Sequence, residues 1–172
     1  MLFTPHAIAG AAMGVAAGDP YLGFALSYAG HHALDSLPHF DQGTFYTAKM
    51  GAEYLGIPAK YGLAKKFSRR DWLMLFADVA FAAVFAVIIV VAKADSPTFL
   101  ILAAAGAAGG LMPDFIGSNP LWSRKLEARF WIFKKYRAFH SYFHCTVTRP
   151  YIWLGVATQL VVLAISFLYL LS

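Results

Sequence analysis

The stretch at residues 151–171 constrains the fold most, because its twenty-one residues include no Asp, Glu, Lys or Arg. About 20 consecutive apolar residues are enough for a helix to cross the hydrocarbon core of a bilayer, so this stretch predicts a transmembrane helix. The whole chain agrees with that prediction. Of its 172 residues 59% are hydrophobic and 13% are charged, which excludes a water-soluble domain of ordinary composition.

Four more segments have the apolar character and length of helices. Thr4 and Pro5 have the preferences of an N-cap and a first helical residue, and the turn at residues 18–20 is expected to end the first helix after about twelve residues. No charged region precedes this segment, so we expect a retained helix and not a cleaved signal peptide. It is short for a crossing and is expected to pack against the second segment through small residues such as Gly10 and Gly14. The other three segments are residues 21–37, 72–92 and 99–112.

Basic residues predict the orientation of these segments. Of the fourteen Lys and Arg residues, six lie at residues 38–71 and seven at residues 113–149. The positive-inside rule places both loops and the N-terminus in the cytoplasm, and places Asp19, Asp95 and the C-terminus outside. The net charge of +5 therefore reflects topology, and we expect membrane lipid as a partner and no nucleic acid.

The second basic loop also has a periodic pattern. Between Leu121 and Lys135, aromatic and leucine residues alternate with charged residues at roughly helical spacing, which predicts an amphipathic helix at the membrane interface. No internal repeat divides the chain. The predicted fold is therefore all-α, a single integral membrane domain over residues 1–172. It is a polytopic bundle of about five hydrophobic helices plus the interfacial helix.

All the histidines stand near the predicted cytoplasmic ends of these segments. The carboxylates follow the same rule, with Asp35 beside the histidines of the second segment, Asp78 about two turns into the third, and Asp114 after the fourth. Ionisable groups are costly within a bilayer and require partners, so the set indicates one shared site. The six histidines are His6, His31, His32, His39, His140 and His144.

The spacing of these residues suits a metal site. His31 and Asp35 are four residues apart, as are His140 and His144, so each pair shares a helix face. Adjacent helical residues diverge by about 100°, so we expect only one of His31 and His32 to face the site. Imidazole and carboxylate suit Zn²⁺, with Mn²⁺ or iron as alternatives. There are enough candidate ligands for one or two ions, and two ions can clamp a phosphoester and activate a water.

Three residues are candidates for roles beside the metal. Asp78 is predicted to face the cluster, either as a ligand or as an acceptor that orients a histidine, and it could also act as a general base. An unligated histidine such as His39 could act as the base instead. Arg137 is a candidate for contacting an anionic substrate, with a lipid headgroup as the alternative. Pro38 is expected to end the second helix, which leaves His39 and Asp41 free to fold back over the site. As a ligand Asp41 is disfavoured, and it is expected to be solvated or to cap a helix.

Four stretches of the sequence resemble a known family: residues 4–10, 31–41, 110–114 and 139–144. They are similar to the small bacterial membrane-bound metal-dependent hydrolases, a group distantly similar to zinc-dependent phospholipase C. The family's common His-Arg-Gly-x-Thr-His-Ser stretch appears here as Tyr-Arg-Ala-Phe-His-Ser at residues 136–141, one residue shorter between Arg and His. The resemblance implies hydrolase activity in the bacterial inner membrane and metal ligation by His6, His32, Asp35, His39, Asp114 and His140.

The sequence therefore predicts an integral membrane metal-dependent hydrolase at the cytoplasmic membrane face, acting on a phosphoester or a lipid-linked substrate. The chain has neither the His-Glu-x-x-His nor the Gly-x-Ser-x-Gly motif of other hydrolases. The alternative is a non-enzymatic membrane protein that binds metal or haem, as a carrier, a sensor or an assembly factor. A carrier is disfavoured, because transport uses polar groups spread over the depth of the bilayer.

Overall fold

The computed structural model describes residues 1–41, 69–119, 121–147 and 149–172. Within these ranges the chain forms seven α-helices and no strand, which confirms the all-α prediction. A 3₁₀ turn at Arg149–Tyr151 precedes the last helix. The helices are α1 Phe3–Ala17, α2 Pro20–Asp35, α3 Arg69–Ala92, α4 Pro97–Gly117, α5 Ser123–Arg129, α6 Trp131–Tyr142 and α7 Ile152–Leu171.

Three helical stretches among the described residues are long and apolar enough to cross a membrane: Arg69–Ala92, Pro97–Gly117 and Arg149–Leu171. Large apolar side chains cover their outer faces, as Phe81 on α3 and Ile165 on α7 illustrate. These features support a multi-pass membrane protein. At 15 and 16 residues, α1 and α2 are shorter than the usual span, so the crossing count of five stays a prediction.

Glycines allow α1, α2 and α4 to approach at backbone contact. A Cβ atom added to Gly10 would lie 2.6 Å from the carbonyl oxygen of Gly106, and one added to Gly23 would lie 2.8 Å from the Cα of Gly14. Larger side chains at these positions would push the helices apart. The predicted hairpin of the first two segments is therefore confirmed, and α4 packs tightly against it.

Apolar side chains from α1, α3, α4 and α7 fill the other half of the bundle. Ile8 and Ala11 of α1 pack in one buried cluster with Ile89 of α3, Ala103 of α4 and Leu170 of α7. The α1 helix is consequently surrounded by other helices on most sides. Its polar residues Thr4 and His6 are buried as well and must find partners inside the protein.

Several helix boundaries differ from the sequence predictions. The α4 helix continues through Pro113 to Gly117, so Asp114 lies within the helix and not in a turn after it. Close packing of neighbouring helices can stabilise a helix across a proline. The α2 helix ends at Asp35, where Ser36 donates a hydrogen bond to the carbonyl of His32, and not at residue 37.

The predicted amphipathic helix is two helices. Phe130 has an extended backbone with φ −133° and ψ 118°, and it separates α5 from α6. An extended residue cannot continue an α-helix, so the axis changes direction there. The charged and aromatic residues that form one continuous pattern in the sequence are therefore divided between two helices.

Candidate metal centre

Asp35 lies at the centre of a buried cluster of histidines. Its Oδ1 atom is 3.0 Å from His6 Nε2, and its Oδ2 atom is 3.0 Å from His31 Nε2 and 3.1 Å from His144 Nε2. The amino group of Met1 lies 2.5 Å from Oδ1. Because the side chain of Asp35 is 0% exposed, the histidines and this amino group replace water around its charge.

Two further carboxylates lie among the same histidines. Oδ1 of Asp114 lies 3.3 Å from His140 Nε2 and 4.0 Å from His31 Nε2. Oδ2 of Asp41 lies 3.3 Å from His39 Nε2 and 3.8 Å from His144 Nδ1. The cluster therefore has three acidic groups with imidazoles between them.

Both His31 and His32 belong to this cluster, so the prediction that only one of them faces the site is wrong. The His31 ring stacks on His6 with centroids 3.8 Å apart, and its Nδ1 atom lies 2.7 Å from the carbonyl oxygen of Gly110. The His32 ring is 5.4 Å from the His140 ring. Helices α1, α4 and α6 surround this end of α2, so side chains about 100° apart still reach one site.

An extended segment places the remaining ligands. His39 forms an isolated parallel bridge with Thr146, in which the N–H of Val147 donates to the carbonyl of His39 at 2.9 Å. The hydroxyl of Thr146 donates to Asp41 at 2.8 Å. Asp41 is therefore part of the cluster, contrary to the expectation that it is solvated. The sequence does contain a signal for this placement, because Asp41 stands two residues after His39 and side chains at i and i+2 share a face of extended backbone.

Four overlapping sets of donor atoms, each within 4.8 Å of one another, are found among the described residues. They contain eight of the nine predicted metal ligands, and Asp78 is the exception. Neighbouring sets share His31, His140 or His144, so the four sets form one continuous centre. The sets are His31–His32–His140, His6–His31–Asp114, Asp35–His140–His144 and His39–Asp41–His144.

Buried polar atoms without hydrogen-bond partners indicate that this donor set could hold a metal ion. Seven buried side-chain atoms within the described cluster have no hydrogen-bond partner. His31 Nε2 and Asp35 Oδ2 are among them although they lie only 3.0 Å apart, because they do not face each other in hydrogen-bond geometry. Such atoms are costly to bury unless another group engages them. The others are His6 Nδ1, both ring nitrogens of His32, His39 Nε2 and His140 Nδ1.

The electrostatics of the outer ligands also suit a metal. Burial lowers the pKa of His144 from 6.5 to about 3, against the opposing effect of Asp35. Burial by itself would raise the pKa of Asp41, but the neighbouring His39 more than offsets this and holds that pKa below its ordinary value. At neutral pH His144 is therefore neutral and Asp41 is ionised, which are the forms that bind metals.

Asp78 is not brought to the cluster. Its Oδ2 atom accepts the backbone N–H of Phe3 at 2.5 Å, and its Oδ1 atom accepts the N–H of Thr4 at 3.1 Å and the Thr4 hydroxyl at 2.7 Å. The N–H groups of the first helical turn have no partners within the helix, so Asp78 of α3 caps α1 from outside. Capping of α1 therefore accounts for the buried carboxylate of Asp78, which was predicted to be a ligand or a general base.

Arg137 is also engaged elsewhere. Its Nη1 atom lies 3.2 Å from Oε1 and 2.9 Å from Oε2 of Glu127, so this ion pair joins α6 to α5. Sequence reasoning missed this pair because Phe130 bends the chain between the two residues. The structure therefore assigns Arg137 a contact between helices, and its predicted contact with an anionic substrate stays a prediction.

No protein-family model, curated protein or solved structure matches this chain. The resemblance seen in the sequence motifs therefore stays a prediction.

Proposed function

We propose that the protein is an integral membrane metal-dependent hydrolase whose substrate is a phosphoester, and that it works at the cytoplasmic face of the bacterial inner membrane. One observation carries the proposal: three carboxylates and six histidines converge in one buried cluster in which seven polar atoms have no hydrogen-bond partner. Imidazole with carboxylate is the ligand set of hydrolytic zinc, manganese and iron centres. Divalent ions held there would polarise the phosphoester and lower the pKa of a water molecule.

The donor sets suggest two positions for ions. His6, His31, His32, Asp114 and His140 would hold the first, on the side of the cluster towards α1 and α4. The other ion would be held by Asp35, His39, Asp41 and His144. His140 lies between the two positions. The two oxygens of Asp35 face different histidines, so this carboxylate could contribute to both.

The same geometry argues against haem. The rings of His6 and His31 are stacked at 3.8 Å, and His31 lies 5.1 Å from His140, so no porphyrin fits between these histidines. A metal carrier is also less consistent with the geometry. The candidate ligands form one compact cluster, whereas a carrier requires polar groups along a path through the membrane.

The surface near the cluster favours a lipid-linked substrate. His140 lies on α6, where Trp131 is 68% exposed and Tyr142 is 70% exposed. The ammonium group of Lys135 lies 4.7 Å from the centre of the Trp131 ring. Exposed aromatic rings with lysines are typical of helices that lie in the headgroup region, where a lipid phosphoester is within reach.

The test uses the full chain in lipid nanodiscs, with its metal content measured by elemental analysis. We expect one or two equivalents of a divalent metal and hydrolysis of a nitrophenyl phosphodiester or of a fluorescent phospholipid. A chelator should abolish this activity, and added Zn²⁺ or Mn²⁺ should restore it. Asp35→Asn is the inactive control. Protein that neither contains nor takes up a divalent metal, or that shows a Soret band, would overturn the proposal.

A further inference from the structure

Gln159 is a buried polar residue within the leucine-rich helix α7. It is 5% exposed and stands seven residues after Ile152, about 10 Å along the helix at 1.5 Å per residue. Within a membrane span an amide must find hydrogen-bond partners inside the protein, because lipid tails provide none. The contacts of Gln159 therefore indicate why a polar side chain stands there.

The amide of Gln159 joins two separate parts of the backbone. Its Oε1 atom accepts the N–H of Leu2 at 2.9 Å. Its Nε2 atom donates to the carbonyl of Phe40 at 3.0 Å and to the carbonyl of Gly155 in its own helix at 3.2 Å. These three partners determine the orientation of the amide. In the flipped orientation the amide NH₂ group would face the N–H of Leu2, and the amide oxygen would face the two carbonyl oxygens, so no hydrogen bond could form.

Both joined residues stand next to candidate metal ligands. Leu2 is one helical turn before His6, and Phe40 stands between His39 and Asp41. Gly155 allows the second contact, because a Cβ atom at this position would lie 2.6 Å from the backbone nitrogen of Phe40. The α7 helix thus supplies no ligand of its own and touches the backbone on both sides of the centre.

We infer that Gln159 is a positioning residue that holds the His6 side and the His39–Asp41 side of the centre at a set separation. The inference rests on the proposed metal centre. Helix α1 is already held by Asp78, whereas the segment with Phe40 is held by its bridge to residues 145–147 and by Gln159. Loss of the amide should therefore weaken the second ion, held by His39 and Asp41, more than the first.

Co²⁺ binding tests this inference without any enzymatic assay. The full-length protein is stripped of metal in detergent and titrated with Co²⁺, and the visible absorbance reports the number and the geometry of bound ions. Gln159→Met keeps the length of the side chain and removes its hydrogen bonds to Leu2, Phe40 and Gly155. Gln159→Asn keeps the amide on a shorter side chain that cannot reach Leu2 and Phe40 together. Thr158→Val is the matched control, because among the described residues the Thr158 hydroxyl bonds only to its own helix at Leu154.

We expect wild-type protein and Thr158→Val to bind Co²⁺ alike. In both Gln159 variants one equivalent, the ion that we assign to His39 and Asp41, should lose roughly 10- to 100-fold in affinity with an altered spectrum, while the other equivalent changes little. If Gln159→Met does not give monodisperse protein, Gln159→Asn decides. Wild-type affinity and spectrum in the folded Gln159 variants would overturn this inference alone. Failure of the wild type to bind Co²⁺ would overturn the metal centre and this inference with it.

Discussion

Asp35 and His6 are 29 positions apart in the chain, and their side chains meet at 3.0 Å with neither exposed to solvent. This contact joins the C-terminal end of α2 to the first turns of α1, and the other candidate ligands are arranged around it. Buried carboxylates and imidazoles at this density require a compensating partner, since seven of their atoms have no hydrogen-bond partner within the described cluster. The proposal of a metal centre follows from that requirement.

Loss of a central ligand should lower the metal content without preventing membrane insertion. Replacing His32, Asp35 or His140 with Ala removes donor atoms of the cluster, whereas insertion depends on the apolar helices. Elemental analysis of the purified variants should show less than half of the wild-type metal. Asp95→Ala, which removes a carboxylate at a turn outside the cluster, should retain all of it. An unchanged metal content in all three ligand variants would show that these residues contribute to packing and do not bind metal.

Asp78→Asn should retain metal and lose stability. The variant keeps one acceptor of the two that bind the N–H groups of Phe3 and Thr4, and it loses the charge that favours a helix N-terminus. Loss of such a cap costs about 1 kcal/mol. Thermal unfolding in detergent should therefore begin at lower temperature, with metal content unchanged. Loss of metal at unchanged stability would restore Asp78 as a ligand.

The metal-free protein should become less stable as the pH is lowered below 6.5, in part because of His144. Its pKa is lowered to about 3 in the folded protein, so between pH 6.5 and 3 the unfolded chain binds a proton that the folded chain does not. This group alone contributes up to about 1.4 kcal/mol per pH unit. In His144→Gln the unfolding temperature, measured with chelator present, should therefore decline less between pH 7 and 5. Equal declines in variant and wild type would show that His144 is charged in the folded protein.

Gly106→Val should destabilise the helix bundle. A Cβ atom at this position would lie 2.7 Å from the Cα of Gly14, and rigid backbone atoms cannot move aside without separating α1 from α4. Overpacking of this kind costs about 1–3 kcal/mol. The matched control is Ala104→Val, at an exposed position of the same helix, which should unfold at the wild-type temperature. Equal stability of the two variants would mean that α1 and α4 do not approach so closely.

Cysteine labelling should give the orientation that the basic residues predict. In a Cys145→Ser background, Lys125→Cys should react only with reagent on the cytoplasmic side, and Asp95→Cys only with reagent outside. Lys60→Cys should behave like Lys125→Cys, although residue 60 lies outside the described residues, as do Lys49, Lys65 and Lys66. The opposite labelling pattern would place the candidate centre on the outer face.

Much of the candidate site could be predicted because polar residues are rare in so apolar a chain. The six histidines with Asp35 and Asp114 were expected to share one site, and the structure brings all of them together. Asp78 shows the limit of that reasoning. Burial in an apolar helix requires a polar partner, but it does not specify whether the partner is a metal or the N-terminus of a neighbouring helix.

The helical character of the chain and its capacity for membrane spans follow from the sequence alone, since length and hydropathy are local properties. The sequence also determines which residues are available as ligands. Three contacts become visible in the folded chain: Asp41 joins the cluster, Arg137 pairs with Glu127, and Gln159 joins Leu2 to Phe40. These contacts link residues distant in the chain, and the backbone approach that allows them depends on how the helices pack, which no local pattern encodes.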